Sequence, residues 1–235
     1  MKRDYEQICG LARGLDVVGD RWTLLIAREL LYGPRRFTDL LGGLPGIPPS
    51  LLSRRLKEMQ KAGIISKTVL PPPAASMVYQ LTEAGKALEQ ILYALGRWGA
   101  QFGRTPRPSD AVRPEWIVFA LHSIFRPEAA NGAHVTAELH LPEGIFHLDV
   151  AHGALTTSLG SRAKSDLVLT GERAPVLGVL MGRLTLREAT VGGKMKVQGD
   201  RKVLQRFLKM FGVGATPSTE QTSEKELAQQ VLQPS

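Results

Sequence analysis

Two short helical patterns, a Gly/Pro break between them and two β-branched runs after them occupy Gly33 to Thr82, and no other stretch restricts the fold so tightly. The first pattern is Phe37-Thr38-Asp39-Leu40-Leu41, and the break is Pro45-Gly46-Ile47-Pro48-Pro49. The second begins at Ser50 and stops at Gly63. Helix, tight turn, helix is the order in which the second helix is laid into a DNA groove. Ile64 to Leu70 and Met77 to Thr82 then read as strands joined over Pro71-Pro72-Pro73-Ala74-Ala75-Ser76, which makes a wing.

The second helix has two chemically distinct faces. Leu52, Leu56 and Met59 recur at helical spacing and point to a core, which leaves Ser50, Ser53, Arg54, Lys57 and Lys61 outside. Arg and Lys donate to guanine acceptors or to phosphate, and Ser donates or accepts at either. Ser50, Ser53, Arg54 and Lys57 are therefore the base-reading candidates, and Arg36, Arg55 and Lys67 the phosphate candidates. Arg55 adjoins the core position Leu56, so its competing role is an internal ion pair. Pro48 and Pro49 open the helix, where a missing N–H costs little.

Around this motif, Ile8, Leu11, Leu15 and Val18 give an amphipathic helix over Tyr5 to Val18. Asp20 is the expected N-cap of an apolar helix from Arg21 to Tyr32, and Thr82 that of a long helix to Phe102. The stripe Leu88, Ile91, Leu92, Leu95, Trp98, Phe102 is wider than a domain this small needs. The surplus predicts a homodimer through the first and last helices, presenting two recognition helices to an inverted repeat in double-stranded DNA.

Gly103 to Asp110 is rich in proline and charge, which sets domains at 1–102 and 112–213 with a linker at 103–111. A helix from Pro114 to Phe125 opens the second domain. Alternating strands follow at His134 to Leu141, Ile145 to Val150, Leu155 to Leu159 and Asp166 to Thr170. A helix from Arg173 to Gly182, a helical turn at Thr185 to Ala189, a strand at Met195 to Gln198 and a capped helix from Asp200 to Phe211 complete an α+β domain. The Ser/Thr/Gln/Glu-rich stretch 214–235 reads as a disordered tail.

Charge follows the same division. Residues 1–105 hold 15 Lys/Arg against 9 Asp/Glu, residues 106–213 hold 14 against 10, and the tail holds 1 against 3. A formal charge of +8 favours a polyanionic partner. The absence of a spanning apolar run or signal-peptide core predicts a cytoplasmic protein with no membrane insertion. Cys9 is the only cysteine, to be read as a small core residue or as a redox thiol. No catalytic or phosphate-cradling motif is present, so neither an enzyme nor a cofactor is expected. His134, His140, His147 and His152 read as solvated strand residues rather than metal ligands.

Cys9 near the start, Gly19-Asp20-Arg21-Trp22-Thr23-Leu24-Leu25-Ile26, Gly33 with Arg36-Phe37 and Leu40, Leu52 with Arg55-Leu56 and Gly63, Tyr79-Gln80-Leu81-Thr82 with Gly85, and Trp98 stand in the order of one family. By these residues the N-terminal hundred positions resemble the HxlR family of winged-helix transcriptional regulators. That resemblance implies dimeric DNA binding and promoter control in response to a chemical or oxidative signal. Asp166 to Gly171, Leu180 to Thr185, Ala189 and Gly193 to Asp200 resemble the sterol carrier protein-like fold. That second resemblance implies a sheet with covering helices over an apolar tunnel for a lipid-like ligand. Trp116, Phe119, Leu204 and Phe207 are its lining candidates, unless their stripes simply fill the core.

The sequence therefore predicts a mainly α winged helix-turn-helix followed by an α+β sterol carrier protein-like domain, together forming a DNA-binding regulator with an apolar small-molecule effector. The alternative is a lipid-binding or protein-docking module whose winged helix binds no specific DNA; the basic face of the recognition helix discriminates between the two.

Overall fold

The computed structural model describes residues 4–73, 75–102, 110, 112–162 and 164–212. Apart from Asp110, the expected linker lies outside these residues, as does the expected tail. Backbone contacts divide the chain into two units. One holds the residues up to Gly96 with the segment that ends at Ser123; the other holds 97–102 and the residues from Ile124 onward.

The first unit runs α1 (Gly10–Val18), α2 (Thr23–Leu30), α3 (Phe37–Gly43), α4 (Pro49–Lys61), β1 (Ile65–Val69), β2 (Met77–Leu81), α5 (Glu83–Lys86) and the start of α6 (Glu89–Ala100). Pro114–Ser123 of α7 (Pro114–Ile124) belongs to it too. Its core gathers Ile26, Ala27 and Leu30 of α2, Leu40 of α3, Leu52, Leu56 and Met59 of α4, and Leu92 of α6. The inner face of α4 is thus the one its periodicity predicted. Gly63 ends the run in the left-handed region (φ 73°), where a side chain would be strained. β1 and β2 pair antiparallel from Ile65 opposite Leu81 to Val69 opposite Met77, forming the wing.

Three local expectations are corrected. α2 starts at Thr23 rather than Arg21, because Trp22 before it takes a left-handed backbone (φ 81°), and Asp20 pairs with Arg55 instead of capping. Thr82 caps only the short α5, through Gly85 N–H at 3.1 Å, and the chain breaks before α6 instead of running on as one helix. α1 begins at Gly10, and Cys9 before it is exposed, so this thiol is no core residue.

The second unit is a five-stranded sheet in the order β5-β4-β3-β6-β7. Its strands are β3 (His134–Leu141), β4 (Gly144–Ala151), β5 (Ala154–Leu159), β6 (Leu167–Gly171) and β7 (Met195–Gly199). β3 and β6 are parallel and the other pairs antiparallel. α8 (Arg173–Leu180) and α9 (Leu186–Thr190) lie between β6 and β7, and α10 (Arg201–Lys209) follows β7. From β3 onward the order of elements matches the α+β expectation; the helix expected to open this domain, Pro114 to Phe125, is grouped up to Ser123 with the first unit.

One interior feature departs from it. Glu138 of β3 is 3% exposed. It accepts from His140 Nε2 at 2.7 Å, Ser161 Oγ at 2.9 Å and the Arg162 amide at 2.8 Å. The His140 bond leads in holding its carboxyl down at about 2, joined by the Arg162 amide and Ser161 against the opposing pull of burial. His147, opposite Glu138 on β4, is buried with Nδ1 3.5 Å from Ser165 Oγ, so the expectation that it is solvated fails. β4 is an interior strand, and the β5–β6 connection supplies polar partners there.

Candidate nucleic-acid interface

α4 is built to show one face. Pro48 precedes it in extended geometry (φ −66°, ψ 141°) and Pro49 occupies its first turn. Leu52, Leu56 and Met59 lock the inner face at 0–2% exposure, so rotation of the helix about its axis is blocked. Ser50, Arg54, Lys57 and Lys61 are exposed, and Ser53 is half-buried. Among the described residues Arg54, Lys57 and Lys61 have no carboxylate within ion-pair distance.

Arg55 is placed differently from Arg54. Its side chain is only 12% exposed and its Nη1 is paired with Asp20 and with Glu58. Of the two roles the sequence offered, the geometry gives it the internal ion pair. Behind it, a cleft of about 1180 Å³ between α4 and the N-terminal segment is lined by Asp4, Tyr5, Asp16, Asp20, Arg55 and Glu58, among others.

Arg36 stands exposed at the start of α3, where its amide donates to Asp39 Oδ2 at 3.0 Å. Its neighbour Arg35 exchanges backbone hydrogen bonds with Tyr79 at 2.9 and 2.8 Å, fastening the motif to the wing. The Arg35 guanidinium lies 3.5 Å from Glu115. Lys67 of β1 is exposed, with its ammonium 5.7 Å from the centre of the Tyr79 ring. Arg36, the outer face of α4 and Lys67 thus stand exposed at the start of α3, on α4 and on the wing.

Of the four lining candidates for a ligand tunnel, two lie in each unit. Trp116 lies in the first unit, where its Nε1–H donates to Glu29 at 2.8 Å and the Arg28 guanidinium stands 4.7 Å over its ring. Phe119 packs on Tyr93 with ring centres 5.5 Å apart. Leu204 and Phe207 lie in the second unit, both buried, with the Phe207 ring centre 4.9 Å from that of Phe211. Sequence reasoning missed the Glu29–Trp116 contact. Its one available signal was a carboxylate on the largely apolar α2, and Gly43 makes room for that carboxylate where a Cβ would collide with it.

A helix-turn-helix with a wing, a core-locked second helix and an unpaired basic outer face defines a winged-helix DNA-binding protein. Residues 17–106 match the HxlR-like helix-turn-helix family. The HTH-type transcriptional regulator YvaP of Bacillus subtilis (strain 168) is 34% identical over 90 residues, covering 38% of this chain and 83% of YvaP. YodB of the same organism is 35% identical over 99 residues, covering 42% and 86%. The chain belongs to the HxlR-like helix-turn-helix family of transcriptional regulators. The reduced form of YodB, a solved structure, is 31% identical with a TM-score of 0.36, covering 43% of this chain and all of that one. Residues 124–216 match a different family, the alkyl sulfatase C-terminal domain. Among the described residues no helix is long and apolar enough to cross a membrane.

Proposed function

We propose that the chain is a dimeric transcriptional regulator that reads an inverted-repeat operator with α4. The observation that carries this reading is the pairing pattern on that helix: Arg55 is neutralised by Asp20 and Glu58, while Arg54 and Lys57 beside it are left for an external anion. Ser50, Ser53, Arg54 and Lys57 contact base edges; Arg36 and Lys67 contact phosphate. The dimer is supported by apolar side chains left in solvent, Ile8 and Leu11 beside and on α1 and Ile91, Leu95 and Trp98 on α6. Surface of this kind is what a two-fold interface covers.

The second unit, in this reading, holds an alkyl-chain effector, supported by its similarity to the C-terminal domain of alkyl sulfatases. An effector changes operator affinity only by favouring one spacing of the two recognition helices. Alkyl probes that bind the full chain and leave operator affinity unchanged would remove the coupling.

Genomic-DNA affinity sequencing tests the central claim, with the wild type run beside the Arg54→Ala/Lys57→Ala variant. A small set of two-fold-symmetric sites that disappear in the variant is expected. Diffuse enrichment that vanishes with added salt would leave only a basic surface and sink the regulator reading.

A further inference from the structure

A second basic surface lies far along the sequence from the recognition helix. Between Lys194 and Lys209 the chain carries six cations, Lys194, Lys196, Arg201, Lys202, Arg206 and Lys209, and a single acid, Asp200. That acid is occupied as the N-cap of α10, where its Oδ1 accepts from the amides of Lys202 and Val203 at 2.8 and 3.0 Å. Other acids of the unit are matched where they stand. Glu143 pairs with Arg173, Glu138 binds His140 and Ser161, Asp166 binds Thr136, and Glu188 closes the cap of α9 at Thr185. Among the described residues none of the four α10 cations has a carboxylate within ion-pair distance.

These cations form a row. Arg201, Lys202, Arg206 and Lys209 are all exposed. With Gln205 they fall within an arc of about 140° on a helix that turns ~100° per residue. Leu204 and Phe207 occupy the opposite side and are buried. From Arg201 to Lys209 the row extends ~12 Å at ~1.5 Å per residue. Along one strand of duplex DNA the phosphate charges fall ~3.4 Å apart on the axis, so the row matches about three or four of them. Repulsion within the row disfavours the isolated helix, and a polyanion laid along it reverses that sign.

We propose that the outward face of α10 is a second DNA-contacting surface, one that grips the phosphate backbone without reading sequence. This rests on the reading of the chain as a DNA-binding regulator. A lipid surface fits the face less well, because a helix lying on a bilayer inserts an apolar side, and the apolar side of α10 is already consumed by the core. Arg206 is partly committed, since its Nη2 donates to the Gly132 carbonyl at 2.9 Å. Arg201, Lys202 and Lys209 are the residues that grip.

The test compares the full-length wild type with Arg201→Gln/Lys202→Gln/Lys209→Gln over a salt series, on operator and on random duplex. The slope of log affinity against log salt should fall by about 2 to 3, equally on both duplexes, with sequence preference unchanged. Lys202→Gln alone, the milder variant, should lower it by about 1, and Arg201→Lys/Lys202→Arg/Lys209→Arg should keep the wild-type slope. An unchanged slope in a triple variant with wild-type melting behaviour overturns the proposal. So does a triple variant that loses only its binding to anionic phospholipid vesicles. If no operator exists, the random duplex still reads α10, whereas Arg54→Ala/Lys57→Ala reads the recognition helix, so the two failures are distinguishable.

Discussion

Arg55 of the recognition helix is paired with Asp20, 35 positions earlier in the chain, at the corner between α1 and α2. The same guanidinium takes Glu58 on its own helix, and its Nε is buried without an acceptor. A cation adjacent in sequence to Arg54, the proposed base-reading residue, thus serves to hold the helix that presents it. The tie is modest in energy, because the carboxylates of Asp20 and Glu58 are about half or more exposed.

Arg55→Ala should therefore destabilise the fold by about 1 to 2 kcal/mol, from two partly solvated ion pairs and the packing of the side-chain stem. Urea unfolding measures this. The salt slope of DNA binding should stay at its wild-type value; a fall of about 1 would instead put Arg55 on a phosphate.

Arg54→Ala should cost about 1 to 3 kcal/mol on the operator and relax preference at one base pair, with little change on random duplex. Equal losses on the two duplexes would deny Arg54 a base-reading role. Thermal stability should hardly move, since Arg54 is exposed and unpaired among the described residues.

Trp116→Phe keeps a ring beneath Arg28 and removes only the donor to the buried Glu29 carboxylate. Losing a hydrogen bond to a charged group there should cost about 1.5 to 3 kcal/mol in denaturant unfolding. Alkyl-probe binding should be unaffected. A loss of probe binding without loss of stability would return Trp116 to a ligand site.

Glu138 links stability to acid. Its folded carboxyl titrates at about 2, below the ordinary glutamate range, with His140 as the leading cause. A depressed carboxylate contributes stability that is fully present above its unfolded value of ~4.3 and is lost as pH falls toward the folded value. Wild-type stability should therefore decline between pH ~4.3 and ~2, and Glu138→Gln should flatten that part of the curve. An identical acid limb in both proteins would contradict the assignment.

Ile8→Asp/Ile91→Asp should give a folded monomer at micromolar concentration in analytical ultracentrifugation, because both side chains are already in solvent in the single chain. A variant that remains dimeric would move the interface elsewhere.

The sequence by itself determined the element order and the inner face of α4, because both follow from local rules. Leu52, Leu56 and Met59 recur at the helical period, Gly63 stops the helix, and the strand alternation from His134 to Leu141 admits one reading. Asp200 was likewise legible as a cap, since its bonds reach only two and three residues along the chain. Pairings between distant positions were not legible. Nothing local to Arg55 names Asp20, nothing near Glu29 names Trp116, and the alternation that placed Glu138 on β3 is silent about Ser161, Arg162 and Ser165, which satisfy it. A charge takes its partner from whatever the packed backbone brings within reach, and burial fixes how strongly the pair is felt. Tertiary structure alone therefore decided which cations are used internally and which remain for a partner, and on that division the proposed DNA surface rests.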